Sequence, residues 1–411
     1  MKEVISDLLR RSMAKIAERS GSPEYPFVDT KFDIVTGRDF DDSDEPFRRK
    51  SCIYSWIQGR GIESFAKHAL FFEGHGDTEL ASKLKSALAV VTEKMESLRQ
   101  QNGGILPFAM KGDGSSFFPP ETAPATFSDL FYSKGLIAAG RVLNTAGYEE
   151  EGRKLFRNVL ESIRFQTFRS GQQSFDPQNQ VAYVEGKFPQ GPRMIALGGL
   201  ADCIGYYPDE SEWADTAEEF ICFIFDHHVH FDAMPELRKY DFIESIGTDG
   251  KAWRDGKMIF CDPGHALEFT GLCAKCLLRL KSRPKLLAEA AFLPELFCHV
   301  FDYGFNFQSG GICKGYDLVA RKPVNSDMPW WSLPETFRAG MELAELFPEY
   351  REETACRAGM ALQAFLQGFL QPCGLGCQTR DQAGNIVAVV PAVPDADPGY
   401  HTNLSLIDIL K

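Results

Sequence analysis

A chain of 411 residues that is 44% hydrophobic and 25% charged can build a sizeable core and a solvated surface. Its formal net charge of −13, without any run of basic residues, argues against nucleic acid or acidic membrane surfaces as partners, because clustered Lys and Arg bind phosphate groups. No stretch has the length and apolar character of a membrane span, so we expect no membrane partner either.

Most of the chain is predicted to be helical. The first twenty residues place apolar side chains at helical spacing among charged ones, which predicts an amphipathic helix and no secretory signal, and we expect a cytoplasmic protein. Further segments with helical spacing follow, separated by loops rich in Gly and Pro. The clearest are 52–72, 79–101, 127–147, 150–170, 212–226, 264–281, 285–301, 334–347 and 351–371.

The stretch from 227 to 262 differs from the rest. Residues 228–231 and 257–260 are predicted as short strands on either side of a turn at 248–250. The strand–helix alternation of a doubly wound sheet is absent from the sequence. The predicted fold class is therefore all-α, with one domain over residues 1–411, built of helical hairpins with one small β excursion near 227–262. Repeated hairpins stack into a solenoid or close into a barrel, and periodicity alone does not choose.

Two groups of residues resemble metal ligands. Cys273 and Cys276 form a CxxC pair, but they lie inside an apolar helical run, which predicts buried reduced thiols. His227, His228 and His230 have no Cys or carboxylate at clear ligand spacing, so we interpret them as structural or surface histidines. We therefore expect no metal. Neither a P-loop nor a GxGxxG motif is present, and we expect no cofactor.

Four short segments are too specific in residue type for an ordinary core. They are residues 55–60 (SWIQGR), 262–268 (DPGHALE), 330–335 (WWSLPE) and 398–401 (PGYH). In this order they resemble the N-acylglucosamine 2-epimerase family, which also contains cellobiose 2-epimerases and aldose–ketose isomerases. The similarity runs from about residue 50 to the C-terminus. Members of that family are (α/α)6 barrels, so the resemblance implies that the hairpins close into a barrel.

Residues 262–268 also make chemical sense on their own. Asp262 is predicted to cap a helix that begins with Pro263, and His265 and Glu268, three residues apart, share one face of it. The positive end of the helix dipole is expected to keep the imidazole neutral and to favour an anionic intermediate. Histidine titrates near neutral pH, which suits acid/base catalysis. A structural role for His265 at the helix start is the alternative.

The resemblance implies roles for the other motif residues. Epimerisation needs a base on each face of the reacting carbon, and the family places its two catalytic histidines at His265 and His401. Arg60 matches an arginine that holds substrate oxygens and can stabilise the negative oxygen that forms. The remaining residues expected to bind substrate are Glu268, Glu335, Trp331, Trp56, Tyr400, Glu244 and Arg193.

Several of these residues have a structural alternative. Arg60 can pair with a buried carboxylate, and the adjacent tryptophans Trp330 and Trp331 can belong to the core. Glu335 can form a capping box with Ser332.

One segment departs from part of the family. Cellobiose epimerases and aldose–ketose isomerases carry an Asn-x-x-Met-His segment with a third active-site histidine, whereas residues 191–196 here read GPRMIA. The missing histidine argues against cellobiose and simple mannose isomerisation, since the N-acyl branch has an apolar, methionine-bearing segment at this point. Arg193 either contacts an acidic or polar substituent or forms an ion pair.

These observations predict a carbohydrate epimerase or isomerase that transfers a proton at C2 through an enediolate. N-acetylglucosamine/N-acetylmannosamine interconversion, or the same reaction on a related monosaccharide, is the leading hypothesis, with a small sugar as the partner and a homodimer as a further expectation. A glycoside hydrolase or lyase that uses Glu268 and Glu335 is the alternative enzyme class, because helical barrels host both. A non-catalytic sugar-binding protein is the third hypothesis.

Overall fold

The computed structural model describes residues 2–118, 123–172, 183–389 and 394–410. The chain forms two compact units. Unit 1 contains Met1–Tyr183, Gln371–Gly376 and Val390–Leu410, and unit 2 contains Val184–Leu370 and Cys377–Val389. The expectation of one domain over residues 1–411 stays a prediction.

Thirteen α-helices are present in the described part of the chain. In chain order they are α1 Lys2–Arg19, α2 Ser55–Gly74, α3 Thr78–Gln101, α4 Phe127–Val142, α5 Ala146–Arg164, α6 Gly191–Tyr206, α7 Ser211–His228, α8 Pro263–Arg279, α9 Pro284–Glu289, α10 Leu293–Gly304, α11 Ser332–Leu346, α12 Arg351–Ala364 and α13 Ser405–Leu410. Two π-helical turns, Phe365–Phe369 and Tyr400–Leu404, follow α12 and precede α13. None of the described helices is long and apolar enough to cross a membrane.

The strands are short and form four small antiparallel sheets in the described residues. β1 Ile53–Tyr54 pairs with β2 Ala109–Met110, β3 Phe188–Pro189 with β4 Ser245–Ile246, and β8 Met328–Pro329 with β9 Thr379–Arg380. The third sheet has the order β5 Phe260–Cys261, β6 Gly315–Asp317, β7 Lys322–Asn325. Strands of two to four residues are too short to leave a periodic pattern in the sequence, which is why most of them were not predicted.

The predicted β excursion is present, but its first strand is wrong. Residues up to His228 belong to α7, and Val229 makes only an isolated bridge with Phe242. The second predicted strand is shifted and lies at Phe260–Cys261. The apolar residues of α7 continue at helical spacing to Phe225, so the helix extends into the segment whose short alternation resembled a strand.

In unit 1, α2 packs against α3 and α4, and α4 packs against α5. The chain ends join the same unit, since α1 contacts α3 and α13. Gly59 and Gly135 allow the backbones of α2 and α4 to touch: a Cβ at Gly59 would lie 2.6 Å from the amide nitrogen of Tyr132. This close approach sets the position of the next residue on α2, Arg60.

In unit 2, α8 lies between α6 and α11, and α7, α10 and α12 pack on these three helices. A Cβ at Gly271 of α8 would lie 3.0 Å from Cβ of Ala339 on α11, so the two helices are in close contact there. Helix α6 was not predicted from the sequence. Because α6 is apolar almost all round and buried on most sides, its residues lack the amphipathic periodicity that indicates a helix.

Candidate active site

The first turn of α8 positions His265. Asp262 is the N-cap, and its Oδ1 accepts hydrogen bonds from the amides of Gly264 at 3.0 Å and His265 at 3.4 Å. Pro263 occupies the first helical position, where the missing amide has no cost. The predicted cap is therefore confirmed, and it fixes the backbone that carries the imidazole.

Glu244 fixes the orientation of the imidazole. Its Oε1 lies 2.9 Å from Nδ1 of His265, whereas Oδ2 of Asp262 lies 3.4 Å from the same atom. The backbone of Glu244 is itself held, since its amide donates to the carbonyl of Phe260 and its carbonyl accepts from the amide of Gln190. A carboxylate accepts only, so we assign a hydrogen to Nδ1, which leaves Nε2 as the atom that can gain or lose a proton.

The carboxylates also determine the charge of His265. Burial opposes the charged imidazole, but Asp262 and Glu244 outweigh it and raise the pKa of His265 to about 9, with Lys314 acting against them. The expectation that the helix dipole keeps this imidazole neutral is therefore wrong. A helix end carries about half a unit charge, and two full carboxylate charges at contact distance exceed it.

Lys314 and Trp331 complete the surroundings of His265. Nζ of Lys314 lies 2.5 Å from Oδ2 of Asp262, and the Trp331 ring lies 5.3 Å from the imidazole, centroid to centroid, at an interplanar angle of 32°. Gly264 makes room for the indole, because a Cβ there would lie 2.9 Å from its Cη2. The side chain of His265 is 30% exposed, so a ligand can reach it.

Glu268 and Glu335 are both buried in unit 2, on α8 and α11 respectively. The carboxylate of Glu335 forms a short ion pair with Arg338, one helical turn away. The alternative capping box is wrong, since the N-cap of α11 is Trp331 and the hydroxyl of Ser332 donates to the carbonyl of Pro329. Glu335 is therefore held by a cation and not by a helix N-terminus.

Arg193 lies in the first turn of α6, and its side chain reaches α7. The guanidinium lies 3.6 Å from the ring centroid of Phe223 and 5.6 Å from that of Phe220. Such cation–π contacts stabilise a buried arginine. The substrate contact expected for Arg193 stays a prediction.

In unit 1, Arg60 lies among aromatic rings. Its guanidinium is 4.1 Å from the ring centroid of Phe131, 5.2 Å from that of Tyr400 and 5.7 Å from that of Trp56. Trp56 is itself part of an aromatic cluster, with its ring edge-on to Phe108 at 5.3 Å. Flat aromatic faces and a guanidinium on one side of a helix are the kind of surface that binds sugar hydroxyls and ring carbons.

A tight turn positions His401. Gly399 adopts a left-handed φ of +84°, and a Cβ there would lie 2.5 Å from Sδ of Met13. Asp397 closes the turn, because its Oδ1 accepts from the amide of Tyr400 at 2.8 Å and its Oδ2 from that of Thr402 at 3.0 Å. His401 is 8% exposed.

The sequence interpretation missed a buried lysine in unit 1. Nζ of Lys134 on α4 donates to the hydroxyl of Tyr400 at 2.5 Å and lies 3.2 Å from Oε2 of Glu63 on α2. Glu63 also pairs with Lys67 at 2.5 Å. The available signal was a single lysine in α4 with apolar residues three and four positions away on both sides, since buried lysines are rare unless they are paired.

The other candidate ligands have local partners. Nδ1 of His228 bonds to the carbonyl of Ile243 at 2.7 Å, and burial lowers its pKa to about 3, so it stays neutral. His227 and His230 likewise face main-chain carbonyls. Cys273 and Cys276 are buried free thiols, as predicted, and burial raises the pKa of each.

The family model described as N-acylglucosamine 2-epimerase (GlcNAc 2-epimerase) matches residues 132–401. The chain belongs to the N-acylglucosamine 2-epimerase family. It is therefore a carbohydrate epimerase or isomerase, acting on a small sugar. No curated protein sequence matches the chain.

Solved structures show the same fold for this epimerase-family chain. A D-mannose isomerase superposes with a TM-score of 0.74 at 14% identity, covering 100% of this chain and 98% of the other. A cellobiose 2-epimerase from Bacillus thermoamylovorans gives 0.72 at 10% identity and 100% of both chains. A possible GH105 member from Salmonella enterica gives 0.55 at 11% identity, covering 100% and 94%. The predicted (α/α)6-barrel fold class is confirmed.

Proposed function

We propose that this enzyme interconverts N-acetylglucosamine and N-acetylmannosamine, or a closely related pair of C2 epimers, with His265 and His401 as the two proton-transfer groups. The observation that carries the proposal is the anchoring of His265. Nδ1 is held by Glu244 and the helix start is held by Asp262, so Nε2 is the single ring nitrogen available to exchange a proton.

The reaction begins with the open-chain aldehyde. One histidine, as a neutral imidazole, removes the hydrogen at C2, and the electron pair moves to the C1 oxygen to give an enolate, which is an enediolate where C2 carries a hydroxyl. The other histidine, as an imidazolium, delivers its proton to the opposite face of C2. Arg60 supports the negative oxygen with its guanidinium. The enzyme ends with one proton on the pair, as it began, so no co-reactant is consumed.

The carboxylates around His265 decide which histidine carries that proton in the free enzyme. With its pKa raised to about 9 by Asp262 and Glu244 against the effect of burial, His265 is the imidazolium at neutral pH. His401 is then the base for one epimer, and His265 the base for the other. A pair that works with one shared proton gives a bell-shaped pH dependence of kcat/KM, and we assign its alkaline limb to His265, near pH 9.

Residues 191–196 support an N-acetyl substrate, because they lack the histidine that cellobiose epimerases and aldose–ketose isomerases share in the corresponding segment. Arg193, in this segment, packs on the ring of Phe223 in α7. Trp331, beside His265, supplies an indole face for the sugar carbons. The cytoplasmic location and the homodimer expected from the sequence belong to this proposal, and cell fractionation and light scattering test them.

A panel of free monosaccharides in heavy water, followed by NMR, tests the proposal. It contains N-acetylglucosamine, N-acetylmannosamine, glucose, mannose and cellobiose. We expect interconversion of the N-acetyl pair with one solvent deuteron at C2 of each product molecule. Product without deuterium contradicts proton transfer through the two histidines, and turnover of cellobiose or mannose alone contradicts the substrate assignment.

The family match favours an epimerase over the glycoside hydrolase hypothesis, in which Glu268 and Glu335 are the acid and the base. The ion pair between Glu335 and Arg338 does not separate the two hypotheses, because a hydrolase needs one ionised carboxylate beside its acid. Release of reducing ends from oligosaccharides, in the same NMR assay, is the outcome that would support a hydrolase.

A further inference from the structure

Lys314 has no role in the motifs or in the proposed reaction, but it lies in the His265 site. It directly precedes β6, in a segment that begins at Gly310 and Gly311. Its ammonium group reaches Asp262 at 2.5 Å and lies 5.4 Å from the ring centroid of Trp331. Its side chain is 31% exposed.

The distances show which carboxylate pairs with Lys314 and which pairs with His265. Oδ2 of Asp262 is 2.5 Å from Nζ of Lys314 but 3.4 Å from Nδ1 of His265, which is beyond a good hydrogen bond. Oε1 of Glu244 is 2.9 Å from the same Nδ1. Asp262 is thus bound to the lysine, and Glu244 receives the imidazole hydrogen.

No charged side chain named here from the neighbouring elements supplies the positive charge that Lys314 places beside Asp262. On α8 itself, Glu268 adds a negative charge whose effect reaches Lys314. On α11, Arg338 is paired with Glu335. The packed helices α6 and α10 contribute Arg193, which faces Phe223 on α7, and His299, which bonds to Asp241. The charges that act most strongly on His265 are therefore Asp262, Glu244 and Lys314.

We propose that Lys314 is a positioning residue: by binding Asp262 it directs the imidazole hydrogen of His265 to Glu244 and limits the negative charge beside the ring. The inference rests on the proposed function in that it assigns His265 to proton transfer. With Lys314 in place, the two cations His265 and Lys314 balance the two anions Asp262 and Glu244. Without it, Nδ1 faces two competing carboxylates, and the ring can turn toward either of them.

Electrostatics support the same assignment. Lys314 lowers the pKa of His265, in opposition to Asp262 and Glu244. In return, although burial opposes its charge, Asp262 raises the pKa of Lys314. Removal of the lysine therefore stabilises the imidazolium further, and the pKa of His265 rises.

The experiment compares the full-length enzyme with Lys314→Met, Lys314→Arg and the matched control Lys275→Met. Lys275 is on α8 and lies 3.7 Å from Asp202, so the control also removes a lysine near a carboxylate. Histidine labelled with 15N is titrated by NMR without substrate, with His265→Asn for assignment, and kcat/KM is measured against pH. We expect the His265 titration to move up by about one unit in Lys314→Met and to stay near wild type in the other two.

A double variant tests whether Lys314 acts through Asp262. In an Asp262→Asn background the ion pair that holds Lys314 near the ring is lost, so the further change Lys314→Met should move the titration by less than it does alone. Should Lys314→Met leave the titration of His265 where it was, or should its effect be undiminished without the Asp262 carboxylate, the inference is overturned. Thermal unfolding of each variant checks that it is folded, and Lys314→Gln replaces Lys314→Met if that variant is not.

The two readouts separate this inference from the proposed function. The NMR titration reports on Lys314 whether or not the enzyme turns over. A titration that moves while the alkaline limb of kcat/KM stays in place supports the action of Lys314 on His265 and contradicts proton donation by His265.

Discussion

Two aspartates hold the two histidines in a similar way, one in each unit. Asp262 in unit 2 accepts hydrogen bonds from the amides of Gly264 and His265, and Asp397 in unit 1 accepts from the amides on either side of His401. The second oxygen of Asp262, however, meets Lys314 and lies close to the imidazole, whereas both oxygens of Asp397 bind main-chain amides. Asp262 therefore affects both the backbone conformation and the charge at His265, whereas the bonds of Asp397 fix the backbone conformation at His401.

Replacing each histidine is the strongest test of this comparison. We expect His265→Asn and His401→Asn each to lower the rate of epimerisation at least about a hundredfold, because each removes one proton-transfer group. Each variant should still exchange the C2 hydrogen of one epimer with solvent, and the two variants should differ in which epimer that is. NMR in heavy water measures both quantities.

His227→Asn is the matched control for these variants, since His227 is bonded to the carbonyl of Gly250. This replacement should leave the rate of epimerisation and the exchange at C2 unchanged. Epimerisation within tenfold of wild type in either catalytic variant contradicts the two-base mechanism.

Replacing Lys134 in unit 1 and Lys314 in unit 2 compares how much each lysine contributes to the free energy of unfolding. The side chains of Lys134 and Glu63 are 4% and 3% exposed, so Lys134→Met leaves a buried carboxylate with one cation fewer. We expect a loss of about 3 kcal/mol in the free energy of unfolding, roughly a hundredfold in the folding equilibrium constant. Lys314→Met should cost less than about 1 kcal/mol, because Lys314 is partly exposed and His265 stays beside Asp262.

Urea unfolding of both variants measures the difference. The double variant Glu63→Gln with Lys134→Met should recover part of the loss, since the buried carboxylate is then gone and its other partner, Lys67, is partly exposed. Equal losses in the two lysine variants would contradict the contrast between the units.

Replacing the aspartates separates charge from conformation. Asp262→Asn removes a charge that raises the pKa of His265, so the alkaline limb of kcat/KM should move down from about pH 9, by about one unit. Asp397→Asn should leave that limb in place and lower kcat about tenfold at every pH, because the turn that carries His401 loses an acceptor. The pH dependence of both variants distinguishes these outcomes. A shifted limb in Asp397→Asn would show that Asp397 also acts on charge.

The smallest expected effect comes from the indole beside His265. Gly264→Ala places a methyl group 2.9 Å from Trp331 and 3.0 Å from Cβ of Ser332, so the indole must shift. We expect KM to rise a few-fold, with a stability loss of about 1 kcal/mol and an unchanged alkaline limb. Gly147→Ala on α5 is the control, since a Cβ at Gly147 meets no atom within 4 Å. An unchanged KM would argue that the indole does not contact the sugar.

The local features of the His265 site were predictable, and the long-range ones were not. The helix cap at Asp262 follows from residues adjacent in sequence, so the sequence alone indicated it. Lys314 is 52 residues from Asp262, and no local pattern indicates that they meet. Lys134 and Tyr400 are 266 residues apart, and Asp397 resembles any aspartate next to a proline. The helix α6 was missed because burial on most sides removes the periodic pattern.

The sequence by itself determined the helical hairpins and the family, and it predicted the pair of histidines, because periodicity, caps and motifs depend on residues that are near one another along the chain. The tertiary structure alone decided the charge of His265. That charge depends on Glu244 and Lys314, which approach from other parts of unit 2, and electrostatic interactions follow distance in space, not separation along the chain.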